Sequence, residues 1–171
     1  MDTISQRIFA AREDCHRDEF IKANINLQVS NISHGESKEQ KLVTLLKSSE
    51  FTTIQSIIIY VLFQNEADHL SQYLRTRSLD AESFHGGVPA QQKIDIQNRF
   101  SKRKIRILVV TTAFRWSSLF GSRVQSIVHF SLPKSLESYV QVCYCHVDVD
   151  LPSRISVYVN LMKLLASVTR F

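Results

Sequence analysis

Thr111-Thr112 closes an unbroken apolar run, Ile107-Leu108-Val109-Val110. Hydroxyls at the end of such a run sit where loops and helix N-termini present unpaired N–H groups, which is where an anion binds in open α/β sheets. His85-Gly86-Gly87 ends a second short run, Ala81 to Phe84, and its glycine pair either offers backbone amides to a phosphate or makes a turn. Asn65 precedes a helical pattern and is either a helix cap or a polar donor to a ligand. Lys102-Arg103-Lys104, with Arg106 beside it, is either a solvated loop or a cluster that attracts phosphate without reading sequence. Cys143, Cys145, His146 and Asp148 are all metal-ligand types.

The last of these does not make a metal site. Structural zinc sites pair Cys-x₂₋₄-Cys with a second pair farther along, and no cysteine follows Cys145. In a strand Cys143, Cys145 and Val147 share one face, which reads as apolar packing. No Gly-x-x-x-x-Gly-Lys-Ser/Thr occurs in the sequence, so it has no loop of that kind to cradle a triphosphate.

The elements that must position these residues alternate between strand and helix. Ile25, Leu27 and Val29 alternate as a strand does; Ser37 and Gln40 suit a capping box, with Leu42, Leu45 and Leu46 as the buried face of the helix that follows. Ile57 to Val61 is a buried strand, and Asn65 opens a helix through Arg77 that buries Ala67, Leu70 and Leu74. Ala81 to Phe84 is a short strand, and Pro89 starts a helix holding Ile94, Ile96 and Phe100. Ile107 to Val110 and Ile127 to Phe130 are two more buried strands; Pro133 ends the second, and Ser135 caps a helix over Leu136 to Gln141. Ile4 and Ile8 share a helical face within Met1 to Arg17, and Leu151 to Phe171 can add a final strand and helix. Strands alternating with helices at this rhythm mean a parallel sheet.

Bulk properties narrow the class. A length of 171 residues with 44% hydrophobic and 22% charged content is globular composition with room for a sizeable core. The net charge of +5 admits a polyanionic partner. Three cysteines, Cys15, Cys143 and Cys145, make no disulfide framework, which points to a reducing compartment. No apolar stretch approaches the ~20 residues of a membrane span, and Met1-Asp2-Thr3 does not open a signal peptide, so no membrane partner is expected.

Three of these segments, in this order, resemble the RecQ family of ATP-dependent DNA helicases. Ile57-Ile58-Ile59-Tyr60 followed by Asn65-Glu66-Ala67 resembles the family's fourth motif. Phe84-His85-Gly86-Gly87-Val88, with Gln97 and Phe100, resembles its aromatic-His-Ala-Gly-Leu pattern with a downstream Gln and Phe. The segments VVTTAF, from Val109, and VQSIVHFSLPKSLESYVQ, from Val124, resemble the fifth motif and the run-in to the sixth. The resemblance covers Phe20 to Gln141 and concerns the second of the family's two RecA-like lobes. It implies an α/β fold: a RecA-like helicase C-terminal lobe over residues 25–142, with a parallel sheet flanked by helices. Residues 1–24 would be a helical inter-lobe segment and 143–171 a divergent tail completing or capping the lobe.

By the same resemblance Thr111 matches a hydroxyl that donates to a DNA phosphate; the alternative is a strand-end threonine satisfying local backbone. Thr111, His85, Gly86, Asn65, Lys102 and Arg103 form the candidate nucleic-acid-binding set. The implied partners are DNA, single-stranded or forked, and a first helicase lobe or another protein in trans, in the nucleus. ATP and Mg are the family's cofactors, held with the first lobe; this chain alone is expected to bind neither. Two departures matter. A Gly-Arg-x-Gly-Arg pattern should follow Gln141, but the sequence passes directly to Val142-Cys143-Tyr144-Cys145-His146. Arg115-Trp116-Ser117-Ser118 stands where the fifth motif has a glycine pair, and Trp116 and Phe120 either stack on bases or fill an apolar groove of their own lobe. The expectation is a degenerate second lobe of a 3′-to-5′ DNA helicase, whose family unwinds DNA in recombination, replication and repair, and which is inactive alone. The alternatives are a non-enzymatic module that binds single-stranded DNA or protein, and a chain whose core does not fold stably.

Overall fold

Ile57, Ile58, Ile59, Tyr60 and Val61 are all 0% exposed, so this segment has no polar face at all. Only a central strand of a sheet covered on both sides buries every side chain in this way. In the computed structural model, which describes residues 25–31, 35, 37–111, 124–131 and 153–159, it is β2 (Ile57–Val61). Its neighbours are β4 (Ile107–Thr111), buried throughout, and β5 (Ser126–His129). With β1 (Ile25–Asn31), β3 (Ala81–Phe84) and β6 (Ser153–Val159) they form a six-stranded sheet of order β1-β6-β5-β2-β4-β3. Every pairing is parallel.

Alternation along the strands divides the core in two. Ile57, Ile59, Val61, Ile107 and Val109 face the helices α1 (Lys38–Leu46), α2 (Ser49–Thr52) and α3 (Gln64–Thr76), meeting Leu42, Leu46, Phe51, Ala67, Leu70 and Leu74. Ile58, Tyr60, Leu108 and Val110 face the other way, onto Ile96 and Phe100 of α4 (Ala90–Ser101). Leu45 is only partly buried and Ile94 is half exposed. The expected parallel sheet flanked by helices is thus the observed architecture. The last strand, β6, lies inside the sheet between β1 and β5.

Several local expectations change. Ser37 does cap α1, accepting from the Gln40 amide at 3.4 Å, but its hydroxyl donates to Glu39 at 2.6 Å. The N-cap of α3 is Phe63 and not Asn65, which lies inside the first turn with its Oδ1 accepting from the Glu66 amide at 2.9 Å. Asn65 Oδ1 thus takes the Glu66 amide, one of the first-turn donors, while the Glu66 carboxylate reaches back to accept from the Leu62 amide, ahead of the N-cap, at 3.0 Å. The strand expected over 127–130 is shifted by one residue, starting at Ser126 and leaving Phe130 beyond it. The expectations for 1–17 and 18–24, for Trp116 and Phe120, for the helix over 136–141, for Cys143 to Asp148 and for a helix after β6 lie outside the described residues.

Both long helices stop by the same device. At the end of α3 the Ser78 amide bonds Arg75 and the Leu79 amide bonds Leu74, with Ser78 at φ 61°. At the end of α4 the Arg103 amide bonds Phe100 and the Lys104 amide bonds Arg99, with Arg103 at φ 56°. This is the left-handed C-terminal motif that glycine usually serves, built here from residues that carry a side chain.

Arg106 does not belong to the solvated basic loop. Its Nε donates to the Ile54 carbonyl at 2.8 Å, and its Nη2 to the carbonyls of Leu46 and Phe51. One guanidinium thus closes the carboxyl ends of α1 and α2 against the start of β4, and burial holds its pKa below the usual arginine value. Charged hydrogen bonds of this kind contribute about 1.5–3 kcal/mol each when a partner is lost without replacement. Arg106→Ala should therefore destabilise the fold by about 3 kcal/mol, and Arg106→Lys should recover less than half of that because an ammonium cannot span three carbonyls. Urea unfolding of the three proteins measures this; an alanine variant as stable as wild type would contradict it.

Candidate functional site

Because every strand runs the same way, all carboxyl ends lie along one edge of the sheet. Thr111 is in register with Val61, and Phe84 with Val110, so His85 stands level with Thr111 one residue beyond that pair. Both are nearly buried, Thr111 at 7% and His85 at 8% exposure. Asn65, in the first turn of α3, and Gly86 are exposed on the same edge. Four of the expected residues are thus brought together.

Lys102 and Arg103 are not with them. They precede β4, at the amino edge of the sheet, and Thr111 is the last residue of that five-residue strand. At ~3.3 Å per residue the strand alone spans about 13 Å through a packed core. They are exposed there, on the opposite edge from Thr111. The cations at the carboxyl edge are others. Lys93, one turn into α4, donates to the Gly86 carbonyl at 3.2 Å. Lys38, at the start of α1, donates to the Phe130 carbonyl at 2.5 Å and lies 4.6 Å from the centre of the Phe130 ring.

His85 is the best-defined group of the edge. Its Nδ1 accepts from the Gly87 amide at 3.2 Å, which leaves the proton on Nε2 to be donated to Asp68 Oδ1 at 3.0 Å. Ser83 donates to the same oxygen at 2.5 Å. Burial opposes ionisation of Asp68, but the hydrogen bonds from Ser83 and His85 outweigh it and hold the carboxyl below its ordinary pKa. The serine is bonded to the carboxylate and not to the histidine, so this is no nucleophilic triad. The Val88 amide closes a turn onto the His85 carbonyl at 3.2 Å, so the glycine pair lies within a turn. Glu66 adds a second tie, accepting from the Ser131 hydroxyl at 2.7 Å and so linking the ends of β2 and β5.

Asp68, Glu66, Ser131, Lys93 and Lys38 are the site residues that the sequence did not single out. Ser83 and His85, two apart in a strand, signal a shared face, but nothing in the spacing links them to a helical aspartate. Lys93 carried a faint signal, as a cation one turn after Pro89.

Against known proteins, residues 37–143 match the model of the helicase conserved C-terminal domain. The ATP-dependent DNA helicase Q-like 5 of Arabidopsis thaliana is 36% identical over 135 residues, 73% of this chain and 15% of that protein. The ATP-dependent DNA helicase RecQ of Pasteurella multocida is 32% identical over 99 residues, 58% of this chain and 16% of that protein. Among solved structures, the E. coli DEAD-box protein SrmB, bound to regulator of ribonuclease activity A, superposes with a TM-score of 0.70 at 18% identity, over 81% of this chain and 79% of that one. The C-terminal domain of the DEAD-box protein Dbp5 gives 0.68 at 16% identity, over 86% and 84%. The fold is that of a RecA-like helicase C-terminal lobe. The chain belongs to the helicase conserved C-terminal domain family, on its RecQ-type DNA helicase branch. It spans about 15% of the length of these curated relatives.

The lowered pKa of Asp68 fixes a sign for its pH dependence. A carboxyl depressed in the folded state stabilises above its unfolded pKa, about 3.9, and that contribution is lost as pH falls through the folded value. Asp68→Asn should therefore be less stable than wild type above about pH 5, with the gap in melting temperature closing below about pH 3.5. A gap that is constant from neutral to acid pH would show that the carboxylate contributes nothing through its charge.

Proposed function

We propose that this chain is the second RecA-like lobe of a RecQ-type DNA helicase and that its carboxyl edge carries a single strand of DNA by the phosphates. One observation carries the reading: the register that sets Thr111 level with His85 and beside the first turn of α3, on the edge where an open parallel sheet takes ligands. In this reading the Thr111 hydroxyl donates to one phosphate. Asn65, whose Oδ1 is engaged by Glu66, offers its amide nitrogen to the next. The His85–Gly87 turn is held rigid by Asp68, and Lys93 beside Gly86 supplies positive charge. Phosphate contacts of this kind position a strand without reading its bases.

ATP is a different matter. A triphosphate needs a helix N-terminus with free amides, and the start of α3 already holds the Glu66 carboxylate, with Asp68 one turn along. The start of α3 does not suit that group, and no Gly-x-x-x-x-Gly-Lys-Ser/Thr loop exists in the sequence. ATP turnover then belongs to a partner lobe, and this chain alone binds DNA without hydrolysing ATP or unwinding.

Two experiments test this. Fluorescence anisotropy of labelled single-stranded DNA should show binding that weakens steeply with salt. Thr111→Val should cost about three- to tenfold in affinity, whereas Lys102→Gln, on the far edge, should cost less than the loss of Thr111; the reverse ranking would refute the placement of the strand. Phosphate release by the purified chain should stay at background with or without DNA, and turnover that tracks the protein through successive purification steps would overturn the division of labour.

A further inference from the structure

Phe63 breaks two rules at once. It is a large apolar side chain left 62% exposed, and it occupies the N-cap of α3 with extended backbone, φ −120° and ψ 153°, making no side-chain cap hydrogen bond. Serine, threonine, aspartate or asparagine at that position would stabilise the helix, and phenylalanine gives up that contribution while exposing its ring to water. A residue that forgoes the capping bond and also keeps a large ring out of the core is expected at a functional position. Its location agrees: Phe63 follows the central strand β2 at the carboxyl edge, two residues before Asn65. Beside it, Gln64 lies against the His85 turn, its amide 3.3 Å and its carbonyl 2.8 Å from where a Cβ would project at Gly86 and Gly87.

We infer that Phe63 is a stacking platform for an unpaired nucleobase of the strand carried on this edge. The inference rests on the reading given under Proposed function and adds to it: phosphate contacts alone accept single and double strands alike, whereas an exposed ring beside them selects a strand whose bases are free to stack. Every base has an aromatic face, so the selection is for single-strandedness and not for sequence. The net charge of +5 suits a polyanion over an apolar peptide as the occupant.

The test compares wild type, Phe63→Ser and Phe63→Trp on two labelled oligonucleotides of equal length and charge, one with bases and one abasic. Phe63→Ser should melt a few degrees higher, because the cap is restored, while binding the normal strand about tenfold more weakly. On the abasic strand the two should bind within about twofold, since no base is present to stack. Phe63→Trp should bind the normal strand at least as tightly as wild type. Equal affinity of wild type and Phe63→Ser for the normal strand would overturn the inference and leave the phosphate reading intact. Absence of salt-dependent binding by wild type to either strand would instead bring down the phosphate reading on which it rests. Sedimentation showing a concentration-dependent dimer that Phe63→Ser abolishes would assign the ring to a second copy of the chain and overturn stacking.

Discussion

The structure depends on a strand pair that has no polar face. β2 and β4 lie side by side in parallel register with every residue buried, Val61 level with Thr111 at one end and Ile57 with Ile107 at the other. A pair buried on both sides must be covered by helices on both sides, which is why α1, α2 and α3 pack on one face and α4 on the other. It also leaves nowhere for polar chemistry except the two edges. The edges then differentiate. At the amino edge Arg106 spends its guanidinium on three backbone carbonyls, a structural task. At the carboxyl edge hydroxyls, amides and cations gather around Thr111 and His85.

Within the carboxyl edge the side chains are held by one another more than by the strands that carry them. Asp68 takes two donors from the end of β3 and its following turn, and Glu66 takes one from its own loop and one from the end of β5. Two carboxylates on α3 therefore tie three strand ends together. The outer side of β3, an edge strand, is managed separately: Glu82 bridges Arg75 of α3 at 3.3 Å and Arg99 of α4 at 3.4 Å. Exposed pairs of this kind add little stability, but a short edge strand lined with charge is a poor template for another chain.

Much of this was legible in the sequence because it follows from periodicity. The continuous run at 57–61, the run ending in Thr111-Thr112 and the spacing of Ala67, Leu70 and Leu74 are consequences of burial, and burial writes itself into residue type. The start of α3 differs from the sequence expectation because Asn65 takes a first-turn amide from within the helix, which begins two residues earlier without a side-chain cap. Lys102 and Arg103 lie close to Thr111 along the chain, yet β4 carries the chain to the opposite edge of the sheet between them. Asp68 and Ser131 left no signal, since their partners lie far off along the chain and become neighbours only when the sheet is assembled.

The position of β6 has a consequence for the order in which the sheet can be completed. β1 pairs with β6 alone, Ile25 opposite Ser153, and β6 in turn joins β5. A ribosome delivers β1 first and β6 last of these strands, so the earliest strand has no place in the sheet until the latest one arrives. During synthesis the block from β2 to β5 can assemble by itself, while residues 25–31 wait as an unpaired, β-prone segment. Such a segment is exposed to wrong pairing for as long as synthesis lasts. The closing step of folding is thus an insertion at the flank of β5, with the two ends of the described chain docking together.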